Sequence, residues 1–162
     1  MRFHTTIEGT VNAEDPMWYT VIAGDDVEEY DGTSVQCGRD VLDLWIADQT
    51  SLADQDPPQL TDEHGNPYLR AVVRFSDDPD EHDNPVAIVG SDALEQDTSA
   101  ELDAVDAAKD AKLYAKHLDR RADEQLEEAL PDAKKAGHRS NFLVRRVAPA
   151  VSKTIALRLM NT

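Results

Sequence analysis

The stretch from Leu94 to Leu130, LEQDTSAELDAVDAAKDAKLYAKHLDRRADEQLEEAL, constrains this chain more than any other. Apolar residues recur in steps of three and four at Leu102, Val105, Ala108, Ala111, Ala115, Leu118, Ala122, Leu126 and Ala129. A period near 3.6 sustained over that length specifies one amphipathic helix of roughly 30 residues. Thr98 with Glu101 has the T-x-x-E spacing of a capping box at its start. Pro131 is read as its end, or as the start of a new helix. The stripe is mostly alanine, which favours close and shallow packing, across its own domain or against a second copy.

Ahead of this helix the hydrophobic period is two. RFHTTIEGTV (Arg2 to Val11) and MWYTVIAG (Met17 to Gly24) read as strands, and the turn-forming NAEDP between them makes a hairpin. DGTSVQCGRDVLDLWIADQT then reads as a helix capped by Thr33 or Ser34 and ending near Asp48, with Val41, Leu42, Trp45 and Ile46 on one face. Gly38 costs such a helix about 1 kcal/mol against alanine, and its use here is to let the helix approach a strand closely. YLRAVVRF (Tyr68 to Phe75) and PVAIVGS (Pro85 to Ser91) complete a β-β-α-β-β module. The expected class is α+β, in three parts: an acidic module over 1–95, the long helix over 96–131, and a basic C-terminal segment over 132–162.

Charge divides the chain along the same line. All 33 acidic residues lie at or before Asp132, with nine basic ones; from Ala133 onward there are seven basic residues and no acidic one. The net charge is −17, and aspartates outnumber glutamates two to one. A dense carboxylate surface of this kind suits a salt-rich cytoplasm. It also suits a face that binds a basic partner or imitates the phosphates of DNA. No apolar run approaches the roughly 18 residues that span a bilayer, so no membrane contact is expected. The N-terminus has no signal-peptide pattern, and the single cysteine, Cys37, makes no internal disulfide. These features place the protein in a reducing cytoplasm or in a virus particle assembled there.

In the basic segment, Ala136-Gly137 reads as a helix stop. Ser140 or Asn141 caps a helix carrying Phe142, Leu143, Val144 and Val147. Pro149 interrupts it, and Ser152 caps a last short helix with Ile155, Ala156, Leu159 and Met160 on one face. VRRVAPAVSKTIALRLMN resembles the second and third helices of a helix-turn-helix DNA-binding domain over roughly 25 residues, with Val151 at the apolar turn, Ser152 at the cap and Leu159 in the core. That likeness implies that Lys153, Thr154 and Arg158 face the major groove or its phosphates, and that Ser140, Arg145 and Arg146 contact the backbone. A dimer would double the cations and match two half-sites. Upstream, the hairpin with its aromatic second strand and the helix GRDVLDLWIAD are similar to HicB-type antitoxin modules, which implies a basic protein partner. Other readings stay open: TIALRLM as a strand, the basic tail laid against an acidic face of the same chain or a neighbouring subunit, or a tail serving solubility alone.

No catalytic constellation, cofactor motif or zinc spacing stands out, and no enzyme activity, cofactor or metal is expected. Asp78, Asp80 and His82 have the 1, 3, 5 spacing of a calcium loop, but Asp83 stands where glycine belongs and Val89 where glutamate belongs. Cys37 reads as a core thiol. The leading function is a non-enzymatic DNA-binding regulator or antitoxin-like protein, the expected DNA-contacting residues being Arg139, Arg145, Arg146, Lys153, Thr154 and Arg158, working as a homo-oligomer. The alternatives are a structural protein of a virus particle or mobile element, using its basic tail for subunit contacts, and an acidic DNA mimic directed against host defence.

Overall fold

The computed structural model describes residues 1–22, 26–27, 29–49, 60–76, 85–148 and 150–161. Strands β1 (Phe3–Gly9), β2 (Tyr19–Ile22) and β3 (Asp26–Val27) are followed by helix α1 (Ser34–Asp48), strands β4 (Leu69–Phe75) and β5 (Ala87–Gly90), and a 3-10 turn over Ser91–Glu95. Helices α2 (Ala100–Lys135), α3 (Ser140–Val147) and α4 (Lys153–Leu159) complete the order. This is an α+β protein. It divides into two compact units, Met1–Leu113 and Tyr114–Thr162, and α2 contributes to both.

In the first unit the sheet is antiparallel throughout, in the order β2-β1-β4-β5, with β3 paired to the start of β1. β1 runs in full register against β4, from Phe3 opposite Phe75 to Gly9 opposite Leu69. Its alternation is strict: Phe3, Thr5, Ile7 and Gly9 are buried, while His4, Thr6 and Glu8 are half-buried. The α1 face of the sheet supplies a core of Ile7, Ala71, Leu42 and Ile46, with Val41 and Trp45 packed against it. Gly38 does what its position in the sequence suggests. A Cβ there would stand 2.8 Å from Val89 Cγ2 and 3.1 Å from Val73 Cγ2, so only glycine lets α1 lie this close to β4 and β5. On the other face, Glu8 sits opposite Arg70 and accepts from its guanidinium at 2.6 and 2.7 Å. The same guanidinium lies 4.1 Å from the centre of the Trp18 ring, a cation–π contact that ties the hairpin loop to β4.

The N-terminus of α1 is closed twice. Thr33 Oγ1 accepts from the Gln36 N–H at 3.2 Å while Gln36 Oε1 accepts from the Thr33 N–H at 2.9 Å, a reciprocal capping box. Asp110, from α2 and only 1% exposed, then takes the Ser34 N–H at 2.6 Å and the Ser34 hydroxyl at 2.7 Å. A carboxylate here meets orphan amides and the positive end of the helix dipole together.

Four details of the long helix depart from the sequence expectation. Its N-terminal cap is Ser99, whose Oγ accepts from the Leu102 N–H at 3.3 Å; the Thr98–Glu101 box lies one residue too early. Pro131 neither ends nor restarts it: the helix continues to Lys135, because Leu130 and Ala133 on either side of the proline are anchored in a core. The alanine-rich stripe does not pack across its own domain over most of its length, since Leu102, Val105, Ala108, Ala111, Ala115, Leu118 and Ala122 are all exposed within the chain. The most buried position of α2 in the first unit is instead an aspartate, Asp110. The proposed interruption at Pro149 and the calcium-like loop at 77–83 lie outside the described residues.

Candidate nucleic-acid interface

The second unit is built from the end of α2 backwards. Gly137 adopts φ +93°, the left-handed conformation that closes a helix. The His138 N–H reaches the Ala133 carbonyl and the Gly137 N–H reaches the Lys134 carbonyl, the paired bonds of a Schellman motif. The chain turns back on itself, and α3 and α4 enclose a small core of Leu130, Leu143, Val151, Ala156 and Met160. Leu126, Ala133, Val144, Val147, Leu157 and Leu159 pack around it. Ser152 caps α4, its Oγ accepting from the Ile155 N–H at 3.4 Å. The segment TIALRLM is therefore helical, and the strand reading is overturned. Ala156 and Met160 are its buried residues; Ile155, expected beside them, is exposed.

Two of the seven basic residues serve this unit internally. Lys134 Nζ donates to the Met160 carbonyl at 3.0 Å and to Asn161 Oδ1 at 2.5 Å, closing the C-terminal end of α4 where a cation is favoured. Lys135 pairs with Asp132 at 3.3 Å. The other five, Arg139, Arg145, Arg146, Lys153 and Arg158, are exposed, and so is Thr154. Among the described residues, Arg139, Arg145, Arg146 and Lys153 have no carboxylate partner.

These positions fall into two groups. Arg139 and Arg145 line one groove of about 360 Å³ together with Ser140, Asn141 and Phe142. Lys153, Thr154 and Arg158 belong to α4 and do not line it. The start of α3 differs from expectation as well. Arg139, in extended conformation, is its N-cap, and no side chain caps the helix; Ser140 is the first helical residue and not the cap. Phe142, one of the four apolar residues read from the sequence on this helix, is 52% exposed. Its ring lies 6.2 Å from that of His138, at an interplanar angle of 27°. The signal for its outward position was present in the spacing, since Phe142 follows Arg139 by three residues and precedes Arg145 by three.

One other group of chemistry-bearing side chains is brought together. Glu14, Glu63 and His64 offer ligand atoms within 4.8 Å of one another, beside a groove of about 330 Å³ lined by residues including Asn12, Glu14, Asp62, Glu63 and Tyr68. His64 lies 3.9 Å from each of the two glutamates. Asp62 holds this turn: its carboxylate accepts from the His64 and Asn66 N–H groups and from the Asn66 side-chain amide. Those bonds, the Asn66 amide first, hold the Asp62 carboxyl below its ordinary range. All three converging residues are exposed, and nothing buried supports them. The sequence separates Glu14 from His64 by 50 positions, and no local spacing announces the group.

Among the described residues no helix is long and apolar enough to cross a membrane. Comparison with known proteins finds no family model, no curated protein and no solved structure that matches this chain.

Proposed function

We propose that this chain is a non-enzymatic regulator that binds duplex DNA through its second unit and a protein partner through its acidic first unit. The observation that carries this reading is the exposure of Arg139, Arg145, Arg146, Lys153 and Arg158 on two short helices held by a common core. Cations retained at the surface of so acidic a chain, four of them with no carboxylate partner among the described residues, are placed for a polyanion. Phosphates repel the carboxylate-rich first unit, and salt screens that repulsion beyond about 10 Å. Two copies would double the cations and span two half-sites about 34 Å apart.

The test is a titration of labelled duplex DNA at several salt concentrations. Five cations per chain give a slope of log affinity against log salt between about −4 and −5. Replacing Arg145, Arg146 and Lys153 together by alanine should flatten that slope and abolish binding at moderate salt. Absence of any salt-dependent binding by the intact chain refutes the reading.

A second reading, an assembly protein, is favoured by one observation. The edge strand β2 exposes Tyr19, Val21 and Ile22 with no charged residue among its four, and edges of that kind are ordinarily guarded by charge or proline. It predicts discrete oligomers and no DNA binding.

A further inference from the structure

The outward face of α3 carries an exposed aromatic ring, Phe142, that duplex binding does not use. Arg139, Phe142 and Arg145 succeed one another at spacings of three, and all three are exposed while Leu143 is buried. His138 precedes them and its ring lies over that of Phe142. A guanidinium, an exposed aromatic ring and a second guanidinium thus follow in order, each about 4.5 Å further along the axis. Ser140 and Asn141, in a first turn that no side chain caps, line the same groove as Arg139, Phe142 and Arg145.

Each component has a distinct partner. Guanidinium groups bind phosphate oxygens in a bidentate fork. Uncapped amides at a helix start add donors for an anion. An exposed ring offers a stacking platform to any base, because every base has a π-face. A base paired inside a duplex is already stacked on both sides and cannot use that platform. The groove volume, about 360 Å³, lies within the range of small-ligand sites.

We propose that α3 carries a subsite for single-stranded nucleic acid: one unstacked base on Phe142 and His138, with its flanking phosphates on Arg139 and Arg145. The proposal rests on the reading of the second unit as nucleic-acid-binding and adds a preference to it. Unpaired, frayed or locally opened strands are held here, in addition to duplex contacts along α4.

The experiment uses the full chain with three labelled probes: an oligo(dT) of about 15 nucleotides, an oligo(rU) of the same length, and a blunt duplex of about 30 base pairs. The variant Phe142→Ala should weaken binding of at least one single-stranded probe about tenfold while leaving the duplex within about twofold. His138→Ala should move affinities in the same direction by less, and Phe142→Tyr should restore them. Arg145→Ala should weaken all three probes. Because Phe142 is half exposed, its truncation spares the core, and an unchanged thermal melt verifies this. In Phe142→Trp, quenching of the added indole fluorescence by oligo(dT) reports stacking directly, independently of affinity. Equal loss on duplex and single strands, no loss on either, or no quenching overturns the subsite and leaves Phe142 as a protein contact. Failure of the intact chain to bind any of the three probes removes the nucleic-acid reading itself, which is a different result from failure of the subsite.

Discussion

At the start of α1 the orphan amides are met from three directions, by Thr33, by Gln36 and by the buried carboxylate of Asp110. At the start of α3 no side chain meets them, and the groove beside them is lined by Arg139 and Arg145. Both helices begin after an extended residue, and both have positive N-terminal dipoles. The first unit spends an anion of its own on that dipole and so fixes where α1 stands. The second sets Arg139 before that dipole with no acidic residue in the first turn, and keeps Arg145 and Arg146 in the last turn where cations are favoured, so its start stays open to an anion from outside. One region is arranged for its own integrity, the other for a ligand.

The sharpest way to break the contrast is to remove the support beneath the open helix. Leu143→Ala should cost about 2–5 kcal/mol, the range for truncating a buried leucine. Among the described residues the second unit has five buried core residues to absorb this loss. Circular dichroism should show α3 and α4 lost, DNA affinity should fall with them, and the sheet should persist.

Removing the anion at the other helix comes next. Asp110→Ala leaves the Ser34 N–H and hydroxyl buried without acceptors, at a cost of about 2–6 kcal/mol when each unmet donor costs about 1–3. The urea midpoint of the first unit should drop accordingly. Ser140→Ala, at the first helical position of α3, should change stability by less than about 0.5 kcal/mol. A comparable loss from both substitutions would show that the two helix starts do the same work.

Cys37 provides a small, independent readout of the first unit. Its thiol is fully buried, and burial, with the nearby Asp40 carboxylate second, pushes its pKa up to about 11 from 9.0. At pH 8 the folded thiolate fraction is therefore about one hundredth of that in the unfolded chain. Alkylation by iodoacetamide should be correspondingly slow until the unit unfolds. The sign follows from the raised value: the unfolded chain gives up its proton first. The stability linked to this thiol is whole below about pH 9 and is lost as pH rises toward 11.

Much of the first unit was legible. Strand alternation, the Thr33 cap and the Gly38 approach are local signals, and local chemistry decides them. Asp110 was not legible, because an aspartate among solvated carboxylates looks the same whether or not it reaches Ser34, 76 positions away. The α2 stripe left burial undecided for a related reason. Alanine is favoured in helices for its backbone alone, so alanines at regular spacing record helicity without recording burial. β3, two residues long, is too short to carry a pattern. At the candidate interface the cations were visible as a charge run, since exposure is their default. Phe142 was missed because an aromatic beside Leu143 and Val144 is ordinarily core; only its register with two arginines sets it apart.

The reversal at Gly137 has a consequence for the architecture of the terminus. There is open space around its Cα, with no atom within 4 Å of where a Cβ would stand, so crowding does not select glycine there. What selects it is handedness alone: a chiral residue in that conformation costs about 1–2 kcal/mol. The final 25 residues are thus folded into a bundle, instead of being drawn out as a continuation of the rod, by the one achiral link in their path.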